Sequence, residues 1–438
     1  MSTNRIGFAA SLALVVGNMI GSGIYMLPAS LAPFGGISLI GWLCSSAGAI
    51  LLAAMFGNLS RILPKANGGP YAYTRAGLGD FPAYLVAWGY WISIWSTNAA
   101  ITVALVGYLG VFFPPLKSNP ALAILTGLLF IWFFTWINTR SLRTVGWVQV
   151  ITTALKVIPI FVIGLIGIWY FDFDHLQPFN LSGSSNFSAI TTTTTLTLFA
   201  YLGMESATIP SAQTADSSNT IRQATIIGTA ITILLYILSS AAVMGIVPPA
   251  ILAESSSPFA DAAALFWGGS SQYIVAAGAI LATMGALNGW LLMQGRIPLA
   301  ASIDGLFPKV FRQLNSKQQP AVGIIISSVL VSILMLANFS KSLVGAFTFM
   351  MTLSTLSVIT PYVFSAASYA LHVANALQKE RRKAYLLALG AFLFALWIII
   401  GCGQEVVFWG FFLLLAGIPF YVVLKRNSGA MGVESDAD

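Results

Sequence analysis

Charged residues are scarce in this 438-residue sequence, where Asp, Glu, Lys and Arg together make up 8% of the chain. Soluble domains carry about 25% charged residues, so a chain this poor in charge cannot cover a water-soluble surface. Hydrophobic residues make up 57% of the sequence. They come in blocks of about 20 or more, the length that crosses a hydrocarbon core of about 30 Å. Because the alternation of a transmembrane barrel is absent, the composition predicts an all-α membrane protein.

Cysteine and histidine are equally rare, with Cys44, Cys402, His175 and His372 as the complete set. Two cysteines in apolar surroundings form neither a disulfide framework nor a metal site. The histidines fall near predicted span ends, which favours an interfacial position over a catalytic one. The sequence also lacks a GxxxxGK[ST] phosphate loop and a nucleophile elbow. We therefore expect no cofactor, no metal and no ATP-driven pump.

Two further classes of protein fit the sequence poorly. A membrane enzyme would need a reactive constellation, which is absent, and a receptor or sensor would need a signalling domain. The net charge of +7 comes from basic residues scattered over short loops, without the stripe that nucleic acid requires. The expected surroundings are a lipid bilayer, and the expected partner is a small solute moved down or against a gradient.

Twelve apolar segments are predicted to be transmembrane helices. They cover residues 6–31, 36–59, 82–113, 120–138, 145–171, 190–212, 220–246, 270–298, 320–337, 343–370, 383–401 and 405–424. Segment 249–266 is too polar to span, so we predict a short surface helix there. The acidic segment 427–438 is predicted to be a disordered tail.

The distribution of basic residues predicts the orientation. With a cytoplasmic N-terminus, this set of spans puts most of the 20 lysines and arginines on the N-terminal side of the membrane. Lys117 and Lys341 fall on the opposite side, and Lys156 falls inside the fifth span. Basic loops are cytoplasmic in membrane proteins. We therefore predict a bacterial inner-membrane protein with both termini in the cytoplasm.

Two predicted spans carry glycine and polar residues where a continuous helix would be apolar. The first contains GNMIGSGIY (17–25) and the sixth contains FAYLGMES (199–206). Five spans separate them, so the two halves of the chain would have opposite orientations, and such paired interruptions indicate a binding site at the bilayer midplane. The predicted units are residues 1–171 and 172–378 as inverted repeats, followed by residues 379–426.

The two interruptions offer backbone groups of opposite polarity. Glycines let the chain leave the helix and expose N–H groups, which suit a carboxylate, while unwound carbonyls suit an ammonium group. The alternative is that small residues merely let helices pack closely. The break residues predicted at the substrate are Asn18, Gly21, Ser22, Gly23, Phe199, Ala200 and Leu202.

Four other polar or aromatic positions are candidates for function. Glu205 is a carboxylate within a span, which indicates a functional site unless it is a helix-packing pair. Lys156 is predicted to point inward, where it would replace a metal cation or titrate, although it could also extend to an interface. Trp290, in LNGW, could stack on a cationic or alkyl side chain. Asn98 and Ser93 offer neutral polar groups.

Six segments carry a resemblance to the amino acid–polyamine–organocation (APC) superfamily over roughly residues 6–425. They are GNMIGSGIYMLPASLA (17–32), GGPYAYTRAGLG (68–79), LFAYLGMESA (198–207), SPFADAA (257–263), LNGW (287–290) and DGLFP (304–308). Within the superfamily, the chain most resembles the basic amino acid/polyamine antiporters, the arginine/agmatine group. The resemblance implies a LeuT-like fold with a five-plus-five inverted repeat, two additional C-terminal helices and a possible homodimer.

The resemblance also implies residue roles. Amides at Ser22 and Gly23 would bind the substrate carboxylate, and carbonyls of Phe199, Ala200 and Leu202 would bind its α-amino group. Trp290 would be a stacking gate. The remaining matched positions are Ser93, Asn98 and Ser354 at the distal end of the substrate, Tyr90, Glu205 and Tyr362 at an outer gate, and Tyr71 at a cytoplasmic position linked to pH sensing.

Two residues depart from the antiporter pattern and leave two functions open. Phe199 stands where the antiporters have tryptophan, and they lack a lysine at Lys156. A lysine at this position resembles proton-coupled members of the superfamily, where it occupies the space of a sodium ion. The first hypothesis is an antiporter of basic amino acids and their decarboxylated amines, and the second is a proton-coupled amino acid symporter that uses Lys156.

Overall fold

The computed structural model of the chain describes residues 7–64, 66, 68–140, 158–208, 217–338, 340–374 and 378–435. In these residues all regular structure is helical. The longer helices are α1 Phe8–Met19, α2 Ser22–Leu31, α3 Ser38–Ile62, α4 Pro70–Leu78, α5 Asp80–Phe112, α6 Pro120–Asn138, α7 Ile158–Tyr170, α8 Asn186–Leu198, α9 Ser217–Ile246, α10 Pro258–Trp267, α11 Ser271–Ile303, α12 Ala321–Ala337, α13 Leu343–His372, α14 Gln378–Gly401, α15 Gln404–Leu415 and α16 Ile418–Ser435.

Short helical turns connect several of these helices. They are the α-helical turns Pro115–Ser118 and Pro249–Leu252 and the 3₁₀ turns Ala32–Ile37, Phe173–Leu176, Phe199–Tyr201, Met204–Thr208 and Lys309–Arg312. A further 3₁₀ turn, Gly167–Tyr170, forms the last part of α7.

Eight helical stretches in the described residues are long and apolar enough to cross a membrane. They are Ser11–Ile62, Asp80–Phe112, Pro120–Asn138, Asn219–Ile246, Ser271–Ile303, Leu343–His372, Glu380–Gly401 and Gln404–Arg426. The apolar helices α7 and α12 are shorter. With this many crossings, the chain is a multi-pass membrane protein.

Most predicted spans coincide with helices, and the differences have local causes. The predicted surface helix at 249–266 is wrong, because the segment forms two helices and the second is largely buried. Its Phe259 ring packs on Tyr25 with centroids 5.4 Å apart. The last predicted span, 405–424, is divided at Ala416–Gly417. The helix α16 runs to Ser435, into the segment predicted to be disordered, and no proline follows Pro419 to end it.

Both predicted interruptions are present. Helix α1 ends at Met19, Ile20 and Gly21 leave helical geometry, and α2 starts at Ser22. Helix α8 ends at Leu198, a 3₁₀ turn follows, and the chain turns at Gly203 with a φ of 98°. Residues that carry a side chain rarely adopt such a positive φ, so glycine is the residue that allows the turn.

The two interruptions lie against each other in the core. A Cβ added to Gly203 would lie 3.2 Å from the Asn18 Cβ, and one added to Gly23 would lie 3.2 Å from the Ala200 Cα. Helix α5 passes beside them, and 89% of an 18-residue apolar stretch of this helix is buried. The paired breaks are therefore surrounded by protein, which is where irregular backbone is tolerated at membrane depth.

Candidate functional site at the paired helix breaks

A small cavity separates the two breaks. Its lining consists of Asn18, Met19, Gly21, Gly23, Thr97, Ile101, Phe199, Ala200, Leu202 and Trp290. The cavity volume is about 20 Å³, which is room for about one water molecule. The structure therefore brings most of the predicted break residues and Trp290 together around a small cavity.

The first break presents a helix N-terminus to this cavity. Gly21 is the N-cap of α2, no side chain caps the helix in the described part of the chain, and no acidic residue lies in its first turn. The first N–H groups of a helix have no partner within the helix, and together with the helix dipole they favour an anion. Gly21 and Gly23 line the cavity, so the N-terminus of α2 lies beside it, and the Gly21 N–H itself bonds the Tyr236 hydroxyl.

The second break presents carbonyl groups. The Leu202 N–H donates to the Phe199 carbonyl at 3.1 Å, and the Ser206 N–H donates to the Gly203 carbonyl at 3.0 Å. One of the three predicted carbonyl ligands, Phe199, is thus already engaged, although a carbonyl oxygen has a second lone pair. The unwound segment 199–203 places several carbonyl dipoles beside the cavity, and such dipoles attract an ammonium group.

A tyrosine on α9 holds the end of α1 in place. The Tyr236 hydroxyl donates to the Met19 carbonyl at 2.6 Å. Its ring stacks on Tyr201, with centroids 5.9 Å apart, and lies beside Trp42 at the same centroid separation. Sequence reasoning missed Tyr236, because nothing near it in the sequence indicates a partner more than two hundred residues away. It satisfies a main-chain carbonyl that the break has freed.

Three hydroxyl groups meet between α5 and α13. The Ser354 Oγ lies 2.9 Å from the Ser93 Oγ and 2.7 Å from the Thr97 Oγ1, and it also bonds the Ser93 carbonyl. The predicted residues Ser93 and Ser354 are therefore adjacent, but neither lines the cavity. Thr97 does line it and was not predicted, although its position four residues after Ser93 puts it on the same helix face.

Asn98 takes a different position from the one predicted. Its Nδ2 donates to the Gln294 Oε1 at 2.7 Å, and the Gln294 Nε2 donates to the Ser328 Oγ at 2.9 Å. The Asn98 side chain is therefore directed at α11 and is not among the cavity-lining residues. Neighbouring helix positions point about 100° apart, so Thr97 faces the cavity and Asn98 does not.

Trp290 contributes the largest side chain to the cavity. It lies on α11 and is buried, with 6% of its surface exposed. The predicted position of Trp290 beside both breaks agrees with the structure. Phe199, which stands across the cavity, packs edge-on against Phe347 of α13 with centroids 6.0 Å apart.

The predicted gate residues Tyr90, Glu205 and Tyr362 also meet. The Tyr90 hydroxyl donates to the Glu205 Oε1 at 2.7 Å, and the Tyr362 hydroxyl donates to Oε2 at 3.4 Å. Glu205 is fully buried. A buried carboxylate is costly unless hydrogen bonds hold it, so the two tyrosines stabilise this position.

The predicted outer gate and the predicted cytoplasmic N-terminus place this cluster on opposite sides of the breaks. Glu205 follows the second break, in the segment that packs along α1, where the Ser206 hydroxyl bonds the Leu14 carbonyl at 3.4 Å. Tyr90 lies in the first third of α5 and Tyr362 in the C-terminal half of α13. The cluster is therefore on the same side of the breaks as the N-terminus, which was itself predicted to be cytoplasmic.

Tyr71 lies further toward that end. Its hydroxyl donates to the Asp304 Oδ2 at 3.0 Å, and Arg75 reaches the same carboxylate at 3.8 Å. Burial, and then the Asp304 carboxylate, hold the pKa of Tyr71 well above its usual range. Asp304 was quoted only as part of DGLFP, and its partner could not be inferred because the contact joins distant parts of the chain.

A second ion pair continues this network. The Arg75 Nε lies 2.9 Å from the Asp80 Oδ1, and Lys425 lies 2.9 Å from the Asp80 Oδ2. Lys156, the predicted coupling residue, lies outside the described residues. His175 bonds the Gly245 carbonyl at 2.9 Å, and His372 bonds the Ser368 carbonyl at 2.8 Å, both away from the breaks.

The class defined by these features is a multi-pass membrane protein with a small cavity between two broken helices. The model of the amino acid permease family matches residues 6–421. Since this match covers nearly the whole chain, the chain belongs to the amino acid permease family, whose members are transporters.

Several curated relatives match over most of their length. The chain is 29% identical over 98% of its length to the arginine/ornithine antiporter of Pseudomonas aeruginosa, covering 92% of that protein. It is 32% identical to the cadaverine/lysine antiporter of Escherichia coli (strain K12), over 76% of this chain and 75% of that protein. It is 31% identical to the arginine/agmatine antiporter of Chlamydia trachomatis, over 96% of this chain and 90% of that protein.

A solved structure shares the fold. The crystal structure of the Eremococcus coleocola manganese transporter, in complex with an aromatic bis-isothiourea substituted compound, superposes with a TM-score of 0.57. The sequences are 13% identical, and the match covers 96% of this chain and 94% of the other. At this identity the likeness extends to the helical architecture alone.

Proposed function

We propose that this protein is a secondary active antiporter that exchanges basic amino acids and their decarboxylated amines by alternating access. Relatives named as arginine/ornithine, cadaverine/lysine and arginine/agmatine antiporters support this choice of substrates. The observation that carries the proposal is the pairing of two broken helices, one presenting N–H groups and the other carbonyl groups to a single cavity.

The opposite polarities of the breaks suit a zwitterion. N–H groups at Ser22 and Gly23 bind the carboxylate, and carbonyls at Ala200 and Leu202, with the second lone pair of Phe199, bind the α-ammonium. The substrate side chain then extends past Trp290 and Thr97 toward the hydroxyls of Ser93 and Ser354. Asn98 supports this wall through Gln294. Neutral ligands hold a guanidinium or amine without trapping it.

The proposed architecture is LeuT-like, with twelve transmembrane helices. Stretch Ser11–Ile62 accounts for the first two crossings, α7 and α12 for two short ones, and α8 with the segment after its break for the sixth. Residues 1–171 and 172–378 form the inverted repeats, and residues 379–426 form the last two helices. Both termini are cytoplasmic in a bacterial inner membrane, and the protein pairs as a homodimer.

Two layers close the cytoplasmic side of the cavity in this arrangement. The Tyr90–Glu205–Tyr362 cluster lies directly below the breaks, and the Tyr71–Asp304–Arg75 contacts lie nearer the cytoplasm. Transport requires both layers to open once the outer path has closed over the substrate. A substrate shifts this equilibrium only through its different affinity for the two states, so an empty carrier that crosses slowly makes exchange obligatory.

A counterflow assay in proteoliposomes tests the proposal. Vesicles loaded with radiolabelled arginine are diluted into buffer that contains arginine, ornithine, lysine, agmatine, cadaverine, leucine or no amino acid. We expect rapid release of label with the basic solutes and slow release with leucine or with no solute. Release that needs no external solute and follows a proton gradient would reject antiport in favour of the symporter that uses Lys156.

A further inference from the structure

A second cavity lies away from the breaks, among the end of α3 and its neighbouring helices. It has a volume of about 580 Å³ and opens between the end of α3, the end of α13 and the start of α14. Arg61, His372, Lys383 and Glu380 line it together with the polar groups of Asn58 and Tyr369. We call it the basic wedge. The substrate site does not use any of these residues.

The packing of α3 against α14 explains the shape of the wedge. A Cβ on Gly48 would overlap the Phe394 ring, so these helices touch at that level. One turn of α14 nearer the end, a Cβ on Gly390 would lie 3.7 Å from Leu51, an ordinary contact. Nearer the end of α3, the cavity lining includes the apolar side chains of Ile62, Ala384 and Leu387, of which Ile62 is 37% exposed.

The rim of the wedge carries an excess of positive charge. Arg61 and Lys383 of the lining, and Arg222 beside Asn58, have no carboxylate within 4.0 Å in the part of the chain that the structure describes. The Arg222 Nε instead donates to the Asn58 Oδ1 at 3.2 Å, and the Asn58 Nδ2 donates to the Tyr369 hydroxyl at 3.1 Å. Glu380 is the acidic group among the lining residues, so the cations outnumber it.

A cavity lined by both basic and apolar side chains suits a ligand that has an anionic headgroup and a hydrocarbon chain. We propose that the basic wedge binds an anionic phospholipid of the phosphatidylglycerol class, with the phosphate between Arg61 and Lys383 and an acyl chain along α14. Guanidinium groups bind phosphate oxygens in pairs, and basic pockets between helices at the cytoplasmic surface suit such headgroups. Leu386 and Leu389, which are 61% and 54% exposed, continue the apolar path along α14.

Lipid binding to the purified full chain tests this proposal without any substrate. Native mass spectrometry would follow titration with dioleoyl-phosphatidylglycerol or dioleoyl-phosphatidylcholine. The variant is R61Q/K383Q, and the matched control is K317Q/R426Q, which removes the same charge from exposed positions outside the wedge. We expect the wild type and the control to prefer phosphatidylglycerol, and the R61Q/K383Q variant to bind it roughly tenfold more weakly.

Two additions keep the result decisive. If R61Q/K383Q melts at a lower temperature than the wild type, the charge-preserving variant R61K/K383R should restore phosphatidylglycerol binding, and failure to do so would overturn the proposal. Equal affinity for the two lipids, or equal losses in variant and control, would also overturn it. Displacement of the lipid by inorganic phosphate alone would assign the wedge to a soluble anion. Because no substrate is present, these outcomes leave the proposed transport function untouched.

Discussion

Trp290 is the largest side chain at the cavity and reaches it from the continuous helix α11. It is buried beside Gly21, Gly23 and Ala200 at the cavity, so any substrate that enters must contact or displace it. An indole face attracts a guanidinium or an ammonium group, most strongly where water is excluded.

Replacement of Trp290 by alanine should therefore reduce exchange far more than it reduces the amount of folded protein. We expect about a thirtyfold lower counterflow rate, because a desolvated cation–π contact of about 2 kcal/mol is lost, and an intermediate rate for Trp290→Phe. The control is Trp409→Ala, which removes an indole that is 45% exposed on α15. Equal rates in Trp290→Ala and the control would contradict a role at the substrate.

The two tyrosines on Glu205 provide an internal comparison at the gate. The Tyr90 bond is 2.7 Å long and the Tyr362 bond is 3.4 Å long, so Tyr90→Phe should open the cytoplasmic side more than Tyr362→Phe does. A buried hydrogen bond to a charged group contributes about 1.5–3 kcal/mol, which corresponds to a shift of about tenfold to a hundredfold in the closed state.

Labelling of a cysteine in the cavity measures this opening. Thr97→Cys is made in a background where Cys44 and Cys402 are alanine, and an impermeant thiol reagent is applied from the cytoplasmic side. Faster labelling is expected in Tyr90→Phe, with a smaller increase in Tyr362→Phe and none in Tyr273→Phe, which changes an exposed ring. If the Tyr90→Phe change instead speeds labelling of Thr97→Cys by reagent applied from the opposite side of the membrane, the cluster belongs to an outer gate.

Single residues were predictable from the sequence where their chemistry was out of place in a membrane. Glu205 and Trp290 were found because a carboxylate or an LNGW segment stands out in an apolar span. Tyr236 and Asp304 were missed because their importance lies in partners that only the fold brings near. The Asn98 bond to Gln294 could not be anticipated, since the helix face of Asn98 could not be determined from polarity alone.

At the scale of elements, the closest approach of the two breaks occurs at Gly23. A Cβ there would lie 3.2 Å from the Ala200 Cα and 3.3 Å from the Phe199 Cδ1. The first of these neighbours is main chain and cannot move aside as a flexible side chain would. Glycine at this position therefore sets the width of the gap between the helix N-terminus and the carbonyl segment.

Gly23→Ala should weaken arginine binding by about tenfold, because overpacking costs about 1–3 kcal/mol. Alanine favours helix over glycine, so a loss of affinity cannot come from helix propensity. The matched control is Gly390→Ala in α14, whose Cβ would make an ordinary contact at 3.7 Å. Unchanged arginine affinity in a scintillation-proximity assay of Gly23→Ala would show that the gap is wider than the structure indicates.

The α4 segment makes a separate prediction about pH. Burial and Asp304 raise the pKa of Tyr71 above its usual range, which is about 10, so the neutral donor form persists at every pH up to and beyond that value. Tyr71→Phe should change the transport rate. It should not move the midpoint of any change in rate between about pH 5 and 8, because histidine titrates in this range and tyrosine does not. A displaced midpoint in a rate–pH profile would show that Tyr71 itself carries the proton.

The elements were the most predictable level of this molecule. Apolar length located most helices, and glycine with polar residues located both breaks, because each follows from local chemistry. The segment at 249–266 was misplaced because its serines suggested a surface, whereas Phe259 of α10 packs on Tyr25 and its N–H bonds the Tyr108 hydroxyl at 3.2 Å. Such burial depends on distant helices and leaves no local signal.

At the scale of the whole molecule, the cavity between the breaks is small, and two sets of side-chain contacts lie on one side of it. The cavity between the breaks holds little more than a water molecule, while the Glu205 cluster and the Asp304 contacts separate it from the N-terminal end. The side on which the Glu205 cluster acts is decided at this scale, since the direction of each helix determines which end of the molecule a residue faces. In the proposed cycle, binding of an amino acid must widen the centre before either side can exchange it.

The most direct measurement is a structure of the full chain in a lipid nanodisc with arginine bound. We predict density for the amino acid between the breaks, with its carboxylate about 3 Å from the N–H groups of Ser22 and Gly23 and its α-ammonium at a similar distance from the carbonyls of Ala200 and Leu202. Arginine bound elsewhere, or α1 and α2 joined as one continuous helix, would contradict the proposed site.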